Sequence, residues 1–363
     1  MTLTELSYYI RKYFFHVVLF FLVILIAIYS IRLFTILQSR RTASRDRINP
    51  IFQALPNPLS QLEETTQGYK FSLDNIDGRP TTATDSAQVF LLLEPPASRF
   101  GADEKAHLMA KSLGFDIDST RPRILGSQAI YTDPAQKLKV DLESFNFTYE
   151  RLFEDDPTIF EGTTAPTAIE AESRAKLILQ QLDVYPRELS NGQTNIIYFY
   201  FDPVSRTVKT IQTDSTATAQ ESPNMVEVDF SRPDLGGIPV VSSTYYNTQN
   251  YVLMAFYTNG DYKVLKSQIQ YQERSTDQIG VYPVRTGDEA YADLQKGEGY
   301  IIQNPTKEKS VTIKKMFLAY FDSDQTQQYL QPVYVFLGEE NNFVAYVPAI
   351  AKDYIVEPSD ASQ

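Results

Sequence analysis

From Tyr13 to Ile31 the chain reads YFFHVVLFFLVILIAIYSI, nineteen residues without a single charge. At about 1.5 Å per residue, a helix of that length matches the roughly 30 Å hydrocarbon core of a bilayer. The run predicts a transmembrane helix over residues 13–37, preceded by a short tail, residues 1–12. Its lipid-facing anchor residues are Tyr13, Phe14, Phe15, Val17, Val18, Leu19, Phe20, Phe21, Leu22, Val23, Ile24, Leu25, Ile26, Ala27, Ile28 and Ile31. Arg32 interrupts the run and is expected to reach toward headgroups, while Tyr8, Tyr9 and Tyr13 resemble an interfacial belt. A cleaved signal peptide is the poorer reading, because the run is too long and no small-x-small site follows it.

Orientation divides the signals. Arg11 and Lys12 precede the run, whereas Arg32, Arg40, Arg41, Arg45 and Arg47 follow it. A literal positive-inside count keeps the C-terminal part in the cytoplasm, although long translocated domains obey that count less faithfully.

Several chemistries are excluded by composition. The chain has no Cys, which removes disulfide scaffolds, thiolate zinc sites, iron–sulfur clusters and cysteine nucleophiles. The only two histidines are His16, inside the apolar run, and His107, so a Ser-His-Asp arrangement would have to use His107. A net charge of -12 is the wrong sign for wrapping nucleic acid. The abundance of aromatics, 24 Tyr and 22 Phe, suits strands packed on a half-buried sheet.

Beyond the apolar run, residues 38–66 mix charge with Pro50, Pro56 and Pro58 and predict a linker. The remainder predicts an α+β fold in two domains, residues 67–150 and 151–363. Apolar spacing predicts a helix over 101–113, with Ala106, Met109, Ala110 and Leu113 inward, and another over 168–182. Each precedes a hairpin, over 127–132 and 138–149 and over 195–201 and 207–213. A shift of about 69 residues lays Ala106 on Ala175, Leu113 on Leu182 and Asp133-Pro134 on Asp202-Pro203. The expectation is an N-terminal transmembrane helix followed by repeated helix-plus-antiparallel-hairpin units. Asn259-Gly260 between apolar runs predicts a further hairpin, and Gly287–Leu294 a short helix with Asp288 and Glu289 at its positive end.

The closing third carries a resemblance. Tyr282-Pro283-Val284, the helix with Glu289-Ala290 and Leu294, and the strands VTIKKMFLAYF, QPVYV and FVAYVPAI follow in order. Over residues 165–350 this pattern resembles the YycH/YycI family of membrane-anchored regulators. RPDLGGIPV at Arg232–Val240 is similar to that family's "R…G-x-Pro-V" segment, and the helix–hairpin unit looks like a PepSY repeat. Tyr334 stands where the family often has Trp. The resemblance implies an extracytoplasmic domain regulating a sensor kinase through protein contacts, with no catalytic residue.

Other candidate sites are weak. His107 lies off the apolar stripe of its helix and has no HExxH spacing around it. Asp116-Ile117-Asp118, Glu154-Asp155-Asp156 and Asp322-Ser323-Asp324 are acidic clusters in turns. The last lacks the glycine and the acidic closer of a calcium loop. Gly236-Gly237 lacks the following helix of a phosphate loop and marks a bend. The aromatic strand NIIYFYF at Asn195–Phe201 is core unless its tyrosines prove exposed.

No catalytic, cofactor-binding or metal-binding residue is therefore assigned. The expected protein is a non-enzymatic, extracytoplasmic binding and regulatory module tethered at the cell membrane, the outward side being chosen against the arginine count. It would hold lipid through residues 13–37 and contact a membrane or envelope protein, with no nucleic-acid partner. The alternative is a carboxylate-dependent hydrolase of cell-wall polymer, which demands two converging carboxylates, one with a raised pKa.

Overall fold

The alternation M-V-E-V-D-F at Met225–Phe230 directs successive side chains to opposite faces of a strand, the period on which most of this fold is built. The computed structural model describes residues 19–32, 48–75, 78–97, 100–211, 222–339 and 343–356. Two large sheets dominate it.

The first sheet has ten strands, and its pairings are antiparallel. Its order is Thr207–Ile211, Thr194–Asp202, Met225–Phe230, Tyr251–Tyr257, Tyr262–Ile269, Phe147–Arg151, Gln136–Asp141, Gln128–Thr132 and Arg123–Leu125, with Thr163–Thr164 beside Tyr251–Tyr257. Helices Ala102–Ser112 and Ala168–Gln181 cover one face. Their contact residues are small: Ala106 and Ala110 on one, Ala171 and Ala175 on the other, all without solvent exposure. Small side chains let Met109, Ile178 and Leu179 pack against Leu138, Val140, Val226, Val228 and Phe230. Each such aliphatic side chain contributes roughly 1.5–3 kcal/mol on burial.

In the second sheet, of eight strands, the long antiparallel pair Ser310–Asp322 and Tyr329–Gly338 is central. Lys70–Leu73 and Val240–Ser242 run parallel to Ser310–Asp322, and Val344–Pro348 flanks the other member. Ser86–Leu92 joins Arg274–Pro283 and the start of Tyr329–Gly338. Helix Gly287–Lys296 lays Ala290 and Leu294 on Ile313, Tyr334 and Phe336. Its N-terminus is closed by a capping box between Thr286 and Glu289. Both sheets recruit strands from either side of residue 150. Leu55 and Leu59, in the stretch expected as a linker, are fully buried, and Leu55–Pro56 pairs with Ile355–Val356.

Two expectations are overturned. The fold is not α+β but mostly β, with 40% of residues in strands and 21% in helices. Helix periodicity was conspicuous in the sequence, whereas several strands carry no clean alternation. Arg274–Pro283 contains a register shift and a polar stretch, and Leu138–Tyr149 is two strands. Asp141 breaks it by accepting from the Glu143 and Ser144 amides, and Phe145 turns at φ 62°. PepSY-like repeated units are likewise replaced by continuous sheets. Strand Phe147–Arg151 of the first helix–hairpin segment pairs edge to edge with Tyr262–Ile269.

The single-pass transmembrane anchor is the second correction. Among the described residues, no helix is long and apolar enough to cross a membrane. The described part of the apolar run, residues 19–32, is helical. It includes Leu19, Phe20, Phe21, Leu22, Val23, Ile24, Leu25, Ile26, Ala27, Ile28 and Ile31. Tyr13, Phe14, Phe15, Val17 and Val18 lie outside the described residues, as do residues 33–37.

Candidate functional site

Opposite its helices, the first sheet presents a row of polar side chains. Strand register aligns Arg123, Ile130, Lys139, Thr148, Gln268, Tyr251, Asp229 and Asn195 across eight strands. The next row aligns Lys137, Glu150, Lys266, Leu253, Glu227 and Ile197. Lys266 pairs with Glu150 at 2.8 Å. An interior sheet face would be apolar, so this one is built to be partly wet.

Where the row meets the second sheet, a cleft of about 920 Å³ opens. Lys139 and Thr148 form part of its floor, and Leu93–Pro96 and Gln270–Glu273 form its walls. The walls are pinned. The Gln270 amide donates to Asn250 Oδ1 at 2.9 Å and the Tyr271 amide to Asn146 Oδ1 at 3.0 Å. The Leu93 amide reaches the Glu273 carbonyl at 2.7 Å. Glu94, Asp141, Glu143 and Glu273 line the cleft together with Lys139. Asp141 stays ionised more readily than usual: burial opposes this, but the amides and hydroxyls of Ser144, Ser127 and Glu143 outweigh it.

A buried ionic cluster ties the cleft wall to both sheets. Arg232 donates from Nε to Asp322 at 2.9 Å, from Nη1 to Glu188 at 2.7 Å and from Nη2 to the Gln272 carbonyl at 2.6 Å. Glu188 also accepts from the Arg274 Nε at 2.5 Å and the Tyr271 hydroxyl at 2.8 Å. The Arg232 guanidinium lies 4.4 Å from the centre of the Tyr271 ring. Burial pushes the Glu188 carboxyl up, yet Arg232, Arg274 and Tyr271 together hold it below its ordinary value. Burial lowers the Arg232 value, but the carboxylates more than compensate and raise it.

The far end of the polar row is sealed. Asp229 is 1% exposed, and neither carboxylate oxygen has a hydrogen-bond partner. Burial first, and then the neighbouring Glu227, pushes its pKa up to about 8. The Thr248 backbone and the Asn195 amide pull it down without completing a hydrogen bond of proper geometry. Burial also raises Glu227, against the Asn247 amide and Lys266. Tyr251, opposite Asp229 on the neighbouring strand, is pushed up to about 12 by burial and then by Glu227.

The sequence candidates fall elsewhere. His107 is half-buried, with its ring 6.4 Å from that of Tyr131, and does not line the cleft. Asp116 closes a local turn with the Asp118 amide and the Ser119 hydroxyl. Asp155 pairs with Arg206 at 3.3 Å, and Asp156 accepts from Thr158. Asp322 belongs to the Arg232 cluster. Gly236 and Gly237 take φ of 61° and 81° in a tight turn between Leu235 and Ile238. In the NIIYFYF strand Tyr198 is half-buried and donates to the Pro166 carbonyl. Among the described residues no group of three or more acids and histidines is placed to hold a metal. The Arg232 cluster and Asp229 were missed. Only the acids at alternate positions of M-V-E-V-D-F, which share one face, signal the latter.

No family model matches this chain, and a comparison with curated proteins finds no match. Among solved structures, it is similar to an uncharacterized protein from Eubacterium rectale ATCC 33656, with 14% identity and a TM-score of 0.33. That match covers 76% of this chain and 87% of the other.

Proposed function

We propose that this protein is a binding and regulatory module of the cell envelope that acts through protein–protein contacts, with the inter-sheet cleft as its working surface. The cleft carries the reading. Its size is in the range of ligand-accepting clefts, and it lies between two packed sheets, where such sites concentrate. Its walls are held by backbone hydrogen bonds and by the Arg232 cluster, so little ordering cost falls on a partner. The reading invokes no membrane-spanning helix.

A carboxylate-dependent hydrolase ranks second. Glu227 and Asp229 share a strand face, and Asp229 has the raised pKa that such chemistry needs. Neither residue lines the cleft, and Asp229 is shut from solvent, so substrate has no approach in this conformation.

The test is site-specific photo-crosslinking in the native envelope, with the probe at Gln128 or Thr326 in the cleft or at the exposed Ile169 on the helix side. A discrete protein adduct from the cleft positions and none from Ile169 is expected. Equal capture from both sides, or none from the cleft, overturns the reading.

A further inference from the structure

Asp229 stands in the middle of a strand with its whole carboxyl group buried and no donor satisfying either oxygen. An ionised carboxylate in that position costs several kcal/mol, and a protonated one far less. Glu227, two residues away on the same face, adds like-charge repulsion if both ionise. The Ser242–Asn250 segment covers this pair. Its contacts are polar. Asn247 donates to Glu227 Oε1 at 3.2 Å, and the Asn195 amide donates to the Tyr246 carbonyl at 3.4 Å. Thr248 donates to the Phe230 carbonyl at 3.1 Å, and Gln249 to the Ser323 carbonyl at 3.4 Å. Tyr346, from the second sheet, donates to the Ser242 carbonyl at 2.9 Å. Tyr245 holds a φ of 67°, unfavourable for a non-glycine residue. The cover is therefore a strained turn held to its neighbours mainly by hydrogen bonds, which run from 2.7 Å, Phe230 amide to Asn250 carbonyl, to 3.4 Å, Gln249 to Ser323.

We propose that the Ser242–Asn250 segment is a pH-responsive latch, closed over Asp229 while that carboxyl keeps its proton and loosened when Asp229 and Glu227 are both charged. The proton leaves to water as the segment opens and returns as it closes. The groups facing Asp229 favour this behaviour. Glu227 comes from its own strand, Tyr251 and Asn195 from the flanking strands, and Tyr246, Asn247 and Thr248 from the cover. The nearest cation in register, Lys266, lies in the adjacent row and is committed to Glu150. No basic side chain on the facing elements forms an ion pair with Asp229 among the described residues. The latch stands apart from the proposed binding role. Among the described residues its link to the cleft is Asn250, whose side chain holds the Gln270 amide in the cleft wall.

Amide hydrogen exchange of residues 242–250 tests the proposal, measured on the whole protein from pH 6 to 9.5 and corrected for intrinsic rates. Wild-type protection is expected to fall at least tenfold between pH 7 and 9, while Asp229→Asn stays protected throughout. Glu227→Gln keeps Asp229 but removes the charge that helps hold its pKa up, so Asp229 gives up its proton sooner and the loss should be complete at lower pH. This arm decides the matter if Asp229→Asn does not fold. Unchanged wild-type protection across the range, or an equal loss in Asp229→Asn, overturns the proposal. So does a Glu227→Gln profile that coincides with wild type.

Discussion

Arg232 and Asp322 meet at 2.9 Å where the first sheet hands the chain to the second, with the arginine side chain wholly shielded from water. Arg232 follows the Met225–Phe230 strand of one sheet, and Asp322 ends the longest strand of the other. With Glu188 and Arg274 they form a buried cluster of alternating sign. Breaking such a cluster from one side strands a charge, which costs more than the intact cluster contributes.

Arg232→Met is expected to destabilise the protein by about 3–5 kcal/mol, because Asp322 and Glu188 lose their principal donor. Urea unfolding checks this, with midpoint and slope compared with wild type. A loss under about 1 kcal/mol would mean that the two sheets are held together without the cluster.

Glu188 makes a prediction about acid. Its folded pKa lies below the ordinary value of 4.5, so the stability it contributes is present above that value and is lost as pH falls through the folded pKa. Glu188→Gln should be less stable than wild type at pH 7, and the two should converge below pH 4.5. Thermal melts from pH 3 to 7 give the comparison. A gap that stays constant over that range contradicts the assignment.

Gly192 admits no side chain. A Cβ there would stand 1.7 Å from the Ser231 carbonyl oxygen, a backbone atom that cannot swing away. Ser231 is held to Gln193 by its amide at 3.1 Å and its hydroxyl at 3.0 Å, immediately before Arg232. Gly192→Ala should cost about 1–3 kcal/mol by overpacking. Chemical denaturation reads the loss, and an unchanged midpoint would show that the turn can move.

Glu273→Lys probes the cleft without touching the core. Glu273 is exposed and forms no ion pair among the described residues, so stability should stay within about 0.5 kcal/mol of wild type. Partner capture through the Gln128 crosslinker should change several-fold, because a charge at the rim of an interface alters encounter rates. Unaltered capture at low and high salt places the contact away from this lip.

Local periodicity made the helices legible. The alanine and leucine spacing placed Ala102–Ser112 and Ala168–Gln181 within a residue or so of their ends, and Asp288 with Glu289 marked the start of Gly287–Lys296. The Asn259-Gly260 turn likewise sits between Tyr251–Tyr257 and Tyr262–Ile269, which pair directly. Strands such as Arg274–Pro283 and Tyr300–Gln303 escaped, because their pairing partners lie far along the chain and a register shift hides their alternation.

The amino-acid order by itself determined which residues coil, where the chain turns, and which chemistries are absent for want of cysteine and histidine. Tertiary structure alone decided that strands separated by more than a hundred residues join into two sheets. It also brought Arg232 beside Asp322, 90 positions away, and buried Asp229 beneath the Ser242–Asn250 segment. The reason is physical: helix periodicity and turn preference are set by neighbours a few residues apart. Strand pairing and the pKa of a carboxyl depend on groups that only folding brings near.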